Sequence, residues 1–288
     1  MSSPRSRRPT STSRSSSRTS GTDGPLATPL IDRLRIDRLD PDRFVGRAGP
    51  GSHLFGGQLL GQGLLAAADT TGPDLRPQSL HAVFLAAGAG DQPVDYAVER
   101  LRDGTSFASR RVVGSQDGEP LVALTASFHR PEGEVLHQAA LPDWIGEPGD
   151  GPTGRYHSPE FESRDIVRSS DDNDPLALAH WSRLQGHGPD DPIMTAAMIA
   201  WLSDNGSTRA ARHPHREHPG FDRVRTTSLD HHLWFHQPAD LDRWQITVLR
   251  SEATADARGL VRGTIHDDTG RHVASLAQEV LVRLPPSG

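Results

Sequence analysis

Two stretches of this chain carry no charged residue on any side: Leu54 to Ala68 (LFGGQLLGQGLLAAA) and Pro192 to Leu202 (PIMTAAMIAWL). A helix that is apolar all round has to be buried all round. Neither run approaches the roughly 20 apolar residues that a membrane span needs. Each is therefore expected to be a helix enclosed by protein, and the residues that follow each run indicate what encloses it.

After the first run, Gly72-Pro73 stops the helix and the pattern turns strand-like: His81 to Leu85, Val94 to Leu101, Ser106 to Val113 and Leu121 to His129. Gln116-Asp117-Gly118 joins the last two as a hairpin. Residues 139–160 are rich in Pro, Gly and Asp and read as a linker. Glu160 to Arg168 alternates again, and Leu176 to Leu184 reads as a strand or short helix. Asp190-Asp191-Pro192 is a helix start, with an Asp cap and Pro at the first helical position. The second uncharged run ends at Asp204-Asn205-Gly206, a C-cap composition. A polar loop is expected over roughly 207–225. Leu229 to His236, Trp244 to Arg250, Gly259 to Ile265 and His272 to Leu284 then read as strands, the last two flanking Asp267-Asp268-Thr269-Gly270.

Both halves therefore have one order. An edge strand (within Leu30 to Val45 in the first half) precedes a buried helix and four long antiparallel strands. Ser79-Leu80 corresponds to Ser228-Leu229, and Gly118 to Gly270. A repeat of about 150 residues is too long for a solenoid unit and fits a duplicated domain. One long antiparallel sheet wrapped round one helix is the hot-dog fold. The expectation is an α+β double hot dog, two antiparallel sheets each wrapped round a central helix. Its parts are a tail over 1–25, hot-dog domains over 26–138 and 161–288, and the linker 139–160.

Composition narrows the chemistry. Hydrophobic content is 34%, below the globular norm, so one segment is expected not to fold. Met1 to Gly24 is almost wholly Ser, Arg, Thr, Gly and Pro, without an aliphatic residue after Met1. Such a segment buries too little to offset its ordering entropy and reads as a disordered tail. It lacks the apolar core of a secretory signal and the apolar face of a transit peptide. The chain has no cysteine, which removes disulfides, thiolate catalysis and cysteine metal sites. It also has no lysine, which removes Schiff-base chemistry and the Walker lysine. The net charge of -6 argues against nucleic acid as a partner.

Four polar features could carry chemistry. Asp204 sits at the last turn of the second uncharged run. A carboxylate at a helix C-terminus opposes the dipole by roughly 0.3–1 kcal/mol, which with burial makes it a better base. The plainer alternative is a capping Asp in a solvated turn. Ser228 begins a strand, a position more often structural. Gln278 shares a strand face with Ala274, Leu276, Val280 and Val282, and a neutral amide there needs partners. Its counterpart in the first half is Ala126, or a neighbour if the alignment of the halves shifts, so the repeat is chemically asymmetric there. Gly56-Gly57-Gln58 opens the first helix, where free N–H groups could hold an anion or a carbonyl. Alternatively Gly56, Gly57, Gly61 and Gly63 serve only close helix packing. A metal tract at His213-Pro-His215-Arg-Glu-His218 is discounted because it lies in a polar loop. A Ser228/Asp230/His232 triad would share one face by alternation, yet no nucleophile elbow surrounds the serine.

Several motifs, in order, resemble a known family. Leu54-Phe-Gly-Gly-Gln58 with Gly61-Gln62, Arg100-Leu-Arg-Asp-Gly-Thr-Ser-Phe107, Arg110-Arg111-Val112 and Thr125-Ala-Ser-Phe128 resemble the first half of the type II acyl-CoA thioesterases, bacterial and peroxisomal. Ser203-Asp204, Leu229-Asp230-His231, Trp234-Phe235-His236, Ala257-Arg258-Gly259-Leu-Val-Arg-Gly263, Val273-Ala-Ser275 and Gln278-Glu279 resemble the second. The likeness covers roughly residues 30 to 285. It implies a double hot dog and a catalytic set of Asp204, Ser228 and Gln278, which together activate one water against a thioester carbonyl without a covalent intermediate. Asp204 would be the base, and Ser228 and Gln278 would position the water. Gly57 and Gln58, at the helix N-terminus, are expected to bind the substrate carbonyl. One departure is Phe84-Leu-Ala-Ala-Gly88, where family members often read Phe-Leu-Arg-Pro-Gly. The expected protein is a cytoplasmic acyl-CoA hydrolase, a homo-oligomer without cofactor, metal, nucleic acid or membrane span. The rival readings are an acyl-thioester hydratase or dehydratase, which would want a His that neither central helix contains, and a non-catalytic acyl-CoA binding protein.

Overall fold

The computed structural model describes Met1 and residues 29–49, 51–133, 136–156, 158–166 and 176–285. Beyond Met1, the segment expected as a tail lies outside the described residues. A short helix α1 (Leu30–Leu34) opens the described body, followed by β1 (Ile36–Asp40) and β2 (Arg43–Gly46). The edge strand expected within Leu30 to Val45 is β1, at one end of the sheet, preceded by a helical turn and paired with β2. The first uncharged run forms α2 (Gly56–Ala68), in which every residue from Gly57 onward is buried. Then come β3 (Arg76–Phe84), β4 (Val94–Asp103), β5 (Phe107–Gln116) and β6 (Glu119–His129).

The second half repeats this order with β7 (Phe161–Asp165), β8 (Ala177–Leu184), α3 (Pro192–Ser203), α4 (Ser207–Arg212), β9 (Arg225–Ser228), β10 (Asp230–Phe235), β11 (Gln245–Ala255), β12 (Arg258–Asp267) and β13 (His272–Arg283). Leu176 to Leu184, ambiguous by pattern, is a strand. The Asp191 side chain accepts from the Ile193 N–H at 2.9 Å, with Pro192 behind it, so the capping signal worked as expected. The polar loop over 207–225 is more ordered than its composition implied. Gly206, at φ +97°, turns the chain directly into α4.

All strand pairs are antiparallel, and the order is β1-β2-β4-β5-β6-β3-β10-β13-β12-β11-β8-β7, with β9 paired to β13. Read from either end, the order gives the same sequence of equivalent strands. The two wrapped sheets of the double hot dog join along one seam, where β3 pairs β10 from Ser79↔Trp234 to Val83↔Asp230. The stretch read as a linker lies over the outer face of the second half, with Leu141, Trp144 and Ile145 packed on Trp181 and Ile246.

Within the wrapped sheet, α2 and α3 run antiparallel in contact. A β-carbon at Gly57 would come 2.5 Å from the Trp201 carbonyl oxygen, and one at Gly61 would come 2.9 Å from that of Ala197. Both values are below any normal contact, so glycine at these positions is what lets the two backbones meet. Leu59, Leu60, Leu64 and Leu65 are buried around this contact, each contributing about 1.5–3 kcal/mol relative to exposure. The far end of α2 is pinned by Arg110 of β5, fully buried, which donates to Thr70 Oγ1 at 2.7 Å and to the Thr70 carbonyl at 2.9 Å. Among the described residues, no helix is long and apolar enough to cross a membrane.

Candidate active site

The antiparallel helix pair brings the end of α3 to the start of α2. Asp204 is the residue that closes α3. Its Oδ2 lies where a β-carbon on Gly56 would be 2.7 Å away, and the Gly57 N–H donates a hydrogen bond to its carboxylate. Asp204 opposes the dipole of its own helix but sits at the positive end of α2, where a carboxylate is favoured. Burial still dominates and pushes the carboxyl up to about 7, against the Gln278 and Gly57 hydrogen bonds that lower it.

Gln278 reaches this carboxylate from β13. Its residue is fully buried on the face it shares with Leu276 and Val280. The Nε2 amide group donates to Asp204 Oδ1 at 3.2 Å and to Ser228 Oγ at 2.6 Å. The structure therefore brings Asp204, Ser228 and Gln278 together from a helix end and two strands. Ser228 accepts from Gln278, so its own hydroxyl proton is available to another acceptor.

A β-bulge sets this geometry. Val280 pairs with Ser228 and Ala277 with His232, so three residues on the β9–β10 side oppose two on β13. At the extra residue, Leu229 donates its N–H to the Glu279 carbonyl at 2.9 Å, while its own carbonyl accepts from the Phe84 N–H at 2.9 Å. The bulge breaks the alternation that would have set Ser228, Asp230 and His232 on one face. Ser228 and His231 point inward instead. Asp230 accepts from the Glu279 N–H at 2.7 Å, and His232 meets His81 at 3.0 Å between ring nitrogens.

His231 is the functional neighbour that sequence reasoning missed. It is fully buried, its Nδ1 lies 2.8 Å from Gln278 Oε1, and its Nε2 lies 2.8 Å from Ser203 Oγ. The available signal was its place beside Asp230 in the strand that follows Ser228.

The other expected donors are engaged elsewhere. The Gly57 N–H is used by Asp204. The Gln58 N–H bonds the Phe55 carbonyl at 3.0 Å, and its side chain donates to the Arg47 carbonyl at 2.8 Å. The Gly57 N–H thus serves Asp204, and the Gln58 donors serve the preceding loop. In the discounted histidine tract, His215 meets Thr254 Oγ1 at 3.1 Å and His218 accepts from the Gly220 N–H at 3.0 Å.

At the opposite end of the helix pair the arrangement recurs without its chemistry. Asp69 closes α2 beside Asp191 and α3, next to a cavity of about 510 Å³ lined in part by Ile36, Phe44, Leu65 and Met194. There Arg38 holds Asp69, Nε to Oδ2 at 2.8 Å, and Asp191 already caps the helix it faces. Ala126, the counterpart of Gln278, is buried and has no polar group to offer.

Near Asp204 the walls are aromatic. Phe84 lies 3.0 Å from the β-carbon position of Gly56. Phe55 packs edge-on to Trp201 with ring centroids 5.2 Å apart, and Phe161 stacks on Trp201 at 5.5 Å. Ala86 and Ala87 are exposed.

Comparison with known proteins shows the family. The family model for the acyl-CoA thioesterase N-terminal domain matches residues 44–129, and that for the C-terminal domain matches residues 134–282. The chain is 30% identical over 279 residues to acyl-CoA thioesterase 2 of Haemophilus influenzae, covering 88% of this chain and 96% of that protein. Among solved structures, an acyl-CoA thioesterase II from Mycobacterium marinum superposes with a TM-score of 0.80 at 30% identity, covering 88% of this chain and 98% of the other. A hot-dog protein of unknown function from Alicyclobacillus acidocaldarius superposes with a TM-score of 0.71 at 22% identity, covering 90% of this chain and all of the other, a likeness of fold alone.

Proposed function

The chain belongs to the acyl-CoA thioesterase family, and from that premise we propose that Asp204, Ser228 and Gln278 hold and activate the water that cleaves the substrate. The activity is hydrolysis of acyl-CoA to a free acid and coenzyme A.

The observation that carries the assignment is the double hydrogen bond of one buried amide, Gln278, to Asp204 and to Ser228. Those contacts leave the Ser228 proton free to donate to a water oxygen. The same water would donate to Asp204. A carboxylate raised to about 7 by burial is matched to taking a proton near neutral pH. Attack by the water oxygen on the thioester carbon forms a tetrahedral intermediate, with the water proton on Asp204. Collapse breaks the C–S bond, and Asp204 returns the proton to the departing sulfur. Atoms balance as thioester plus water to acid plus thiol, and no covalent enzyme intermediate is needed. The aromatic walls of Phe84 and Phe55 support an acyl chain as the apolar part of the substrate.

We further take residues 26–138 and 161–288 as the two hot-dog halves, with 139–160 between them. The palindromic strand order supports that division. A homo-oligomer fits the exposed Val83 and Leu85 beside the seam, and sedimentation would test it. The cytoplasm is the expected compartment, tested by cell fractionation.

The test of function is thiol release from a series of acyl-CoA esters, short to long. Asp204→Asn is expected to remove turnover by a factor on the order of 10²–10⁴, with circular dichroism unchanged. A fully active Asn variant would sink the assignment. Tight binding of every ester without hydrolysis by the natural protein would favour the binding-protein reading.

A further inference from the structure

Gln278 is one link of a longer chain of hydrogen bonds. From Ala200 the links are Ala200 carbonyl to Ser203 Oγ at 2.9 Å, Ser203 Oγ to His231 Nε2 at 2.8 Å, His231 Nδ1 to Gln278 Oε1 at 2.8 Å, and Gln278 Nε2 to Asp204 Oδ1 at 3.2 Å. Ser203, His231 and Gln278 are each fully buried. Water cannot repair a mismatched donor or acceptor there, and such a mismatch is expensive.

Two polarities are open to this chain with a neutral imidazole. Burial holds His231 at about 4, so the ring is neutral at physiological pH. In the first polarity the Gln278 NH2 faces Asp204, and its Oε1 accepts from Nδ1–H of His231. Nε2 then accepts from the Ser203 hydroxyl, which gives up the Ala200 carbonyl. In the second, the Gln278 carbonyl faces Asp204 and its NH2 faces an unprotonated Nδ1. Nε2–H then donates to Ser203, and Ser203 donates to Ala200. An ionised carboxylate has only acceptors. The second polarity therefore suits only a protonated Asp204, which is useless as a base. An ionised Asp204 thus requires the Nδ1–H tautomer of His231, whereas the Nε2–H tautomer admits only the protonated acid.

We propose that His231 is a positioning residue: as the Nδ1–H tautomer it fixes the Gln278 amide with its NH2 toward Asp204 and Ser228, and so holds the base in its ionised form. Ser203 serves as the adjustable end of the chain, having two possible acceptors. This inference rests on the reading of Asp204 and Gln278 as the water-activating groups. It assigns His231 no contact with substrate or water.

Nuclear magnetic resonance on the full chain, labelled with ¹⁵N-histidine, reads the tautomer directly through two-bond ¹H–¹⁵N couplings, with the His231 signals identified by their loss in His231→Asn. The expected result near pH 8 is a protonated Nδ1 and a bare Nε2. A protonated Nε2 in the natural protein overturns the proposal, whatever the activity of Asp204 variants.

A variant series supplies an independent reading. Asn places an N–H near the position of Nδ1, whereas Gln places one near Nε2. His231→Asn is expected to keep kcat within a few-fold of the natural protein. His231→Gln and His231→Leu are expected to lose on the order of tenfold or more in kcat with little change in KM. Equal losses for Asn and Gln would mean that the ring only fills space, and would overturn the proposal. The labelled natural protein keeps the test decisive even where a variant fails to fold.

Discussion

Gly56 and Asp204 come from opposite halves of the duplicated chain and meet at one point. A β-carbon on Gly56 would lie 2.7 Å from Asp204 Oδ2. Hydrogen is the only substituent that leaves this carboxylate its place at the head of α2.

Gly56→Ala is therefore expected to act on catalysis. The added methyl also meets Phe84 at 3.0 Å, so carboxylate and ring cannot both stay. Displacing a base by about 1 Å can cost up to roughly 10²-fold in rate. The prediction is a fall in kcat of at least tenfold. Steady-state kinetics with thermal melting would check it, and unchanged kcat would show that Asp204 need not sit there.

The pH profile should follow Asp204. Burial raises its carboxyl from the ordinary carboxylate range to about 7. Activity requires the ionised form, so kcat/KM is expected to rise with pH through about 7 and level off above. A limb near pH 4 would mean that a carboxylate in an ordinary environment controls the rate.

Gln278→Glu would place a second carboxylate where an amide now donates to Asp204 across 3.2 Å. Like charges at that range hold a shared proton, and the pair titrates together. The limb is expected to move to higher pH, with activity at pH 7 reduced about tenfold or more and partly recovered in alkali. The full pH profile of the variant would check this, an unmoved limb being the adverse result.

Gly61→Ala addresses stability. The new methyl would lie 2.9 Å from the Ala197 carbonyl oxygen, and backbone cannot rotate aside as a side chain can. Overpacking of this kind costs about 1–3 kcal/mol. Urea unfolding is expected to show a lower midpoint with an unchanged slope. A midpoint equal to that of the natural protein would mean that the helices have slack between them.

How much of this was legible follows from the range of each interaction. The central helices could be read directly, because enclosure on every side leaves no position for a charge, and Asp191-Pro192 marked where α3 begins. Gln278 could be placed on the core face because β13 alternates from Ala274 to Val282. The bulge at Leu229 was hidden, since one inserted residue leaves no composition signature, and with it went the inward turn of His231. The partner of Gly57 was hidden as well. Free N–H groups at a helix start are evident from position, but what takes them up depends on a helix in the other half. The six residues of α4 are too few for a periodic pattern, which is why a loop was expected there.

The palindromic sheet has one more consequence. If the two halves were separate copies, the contact of Gly56 with Asp204 would form only when they associated, and it would be lost as the copies grew dilute. Each copy would also have to carry a working version of both residues. Joined in one chain, the halves meet at a fixed effective concentration however few molecules are present. They were thereby free to specialise, one offering a bare helix start and the other the acid that rests on it.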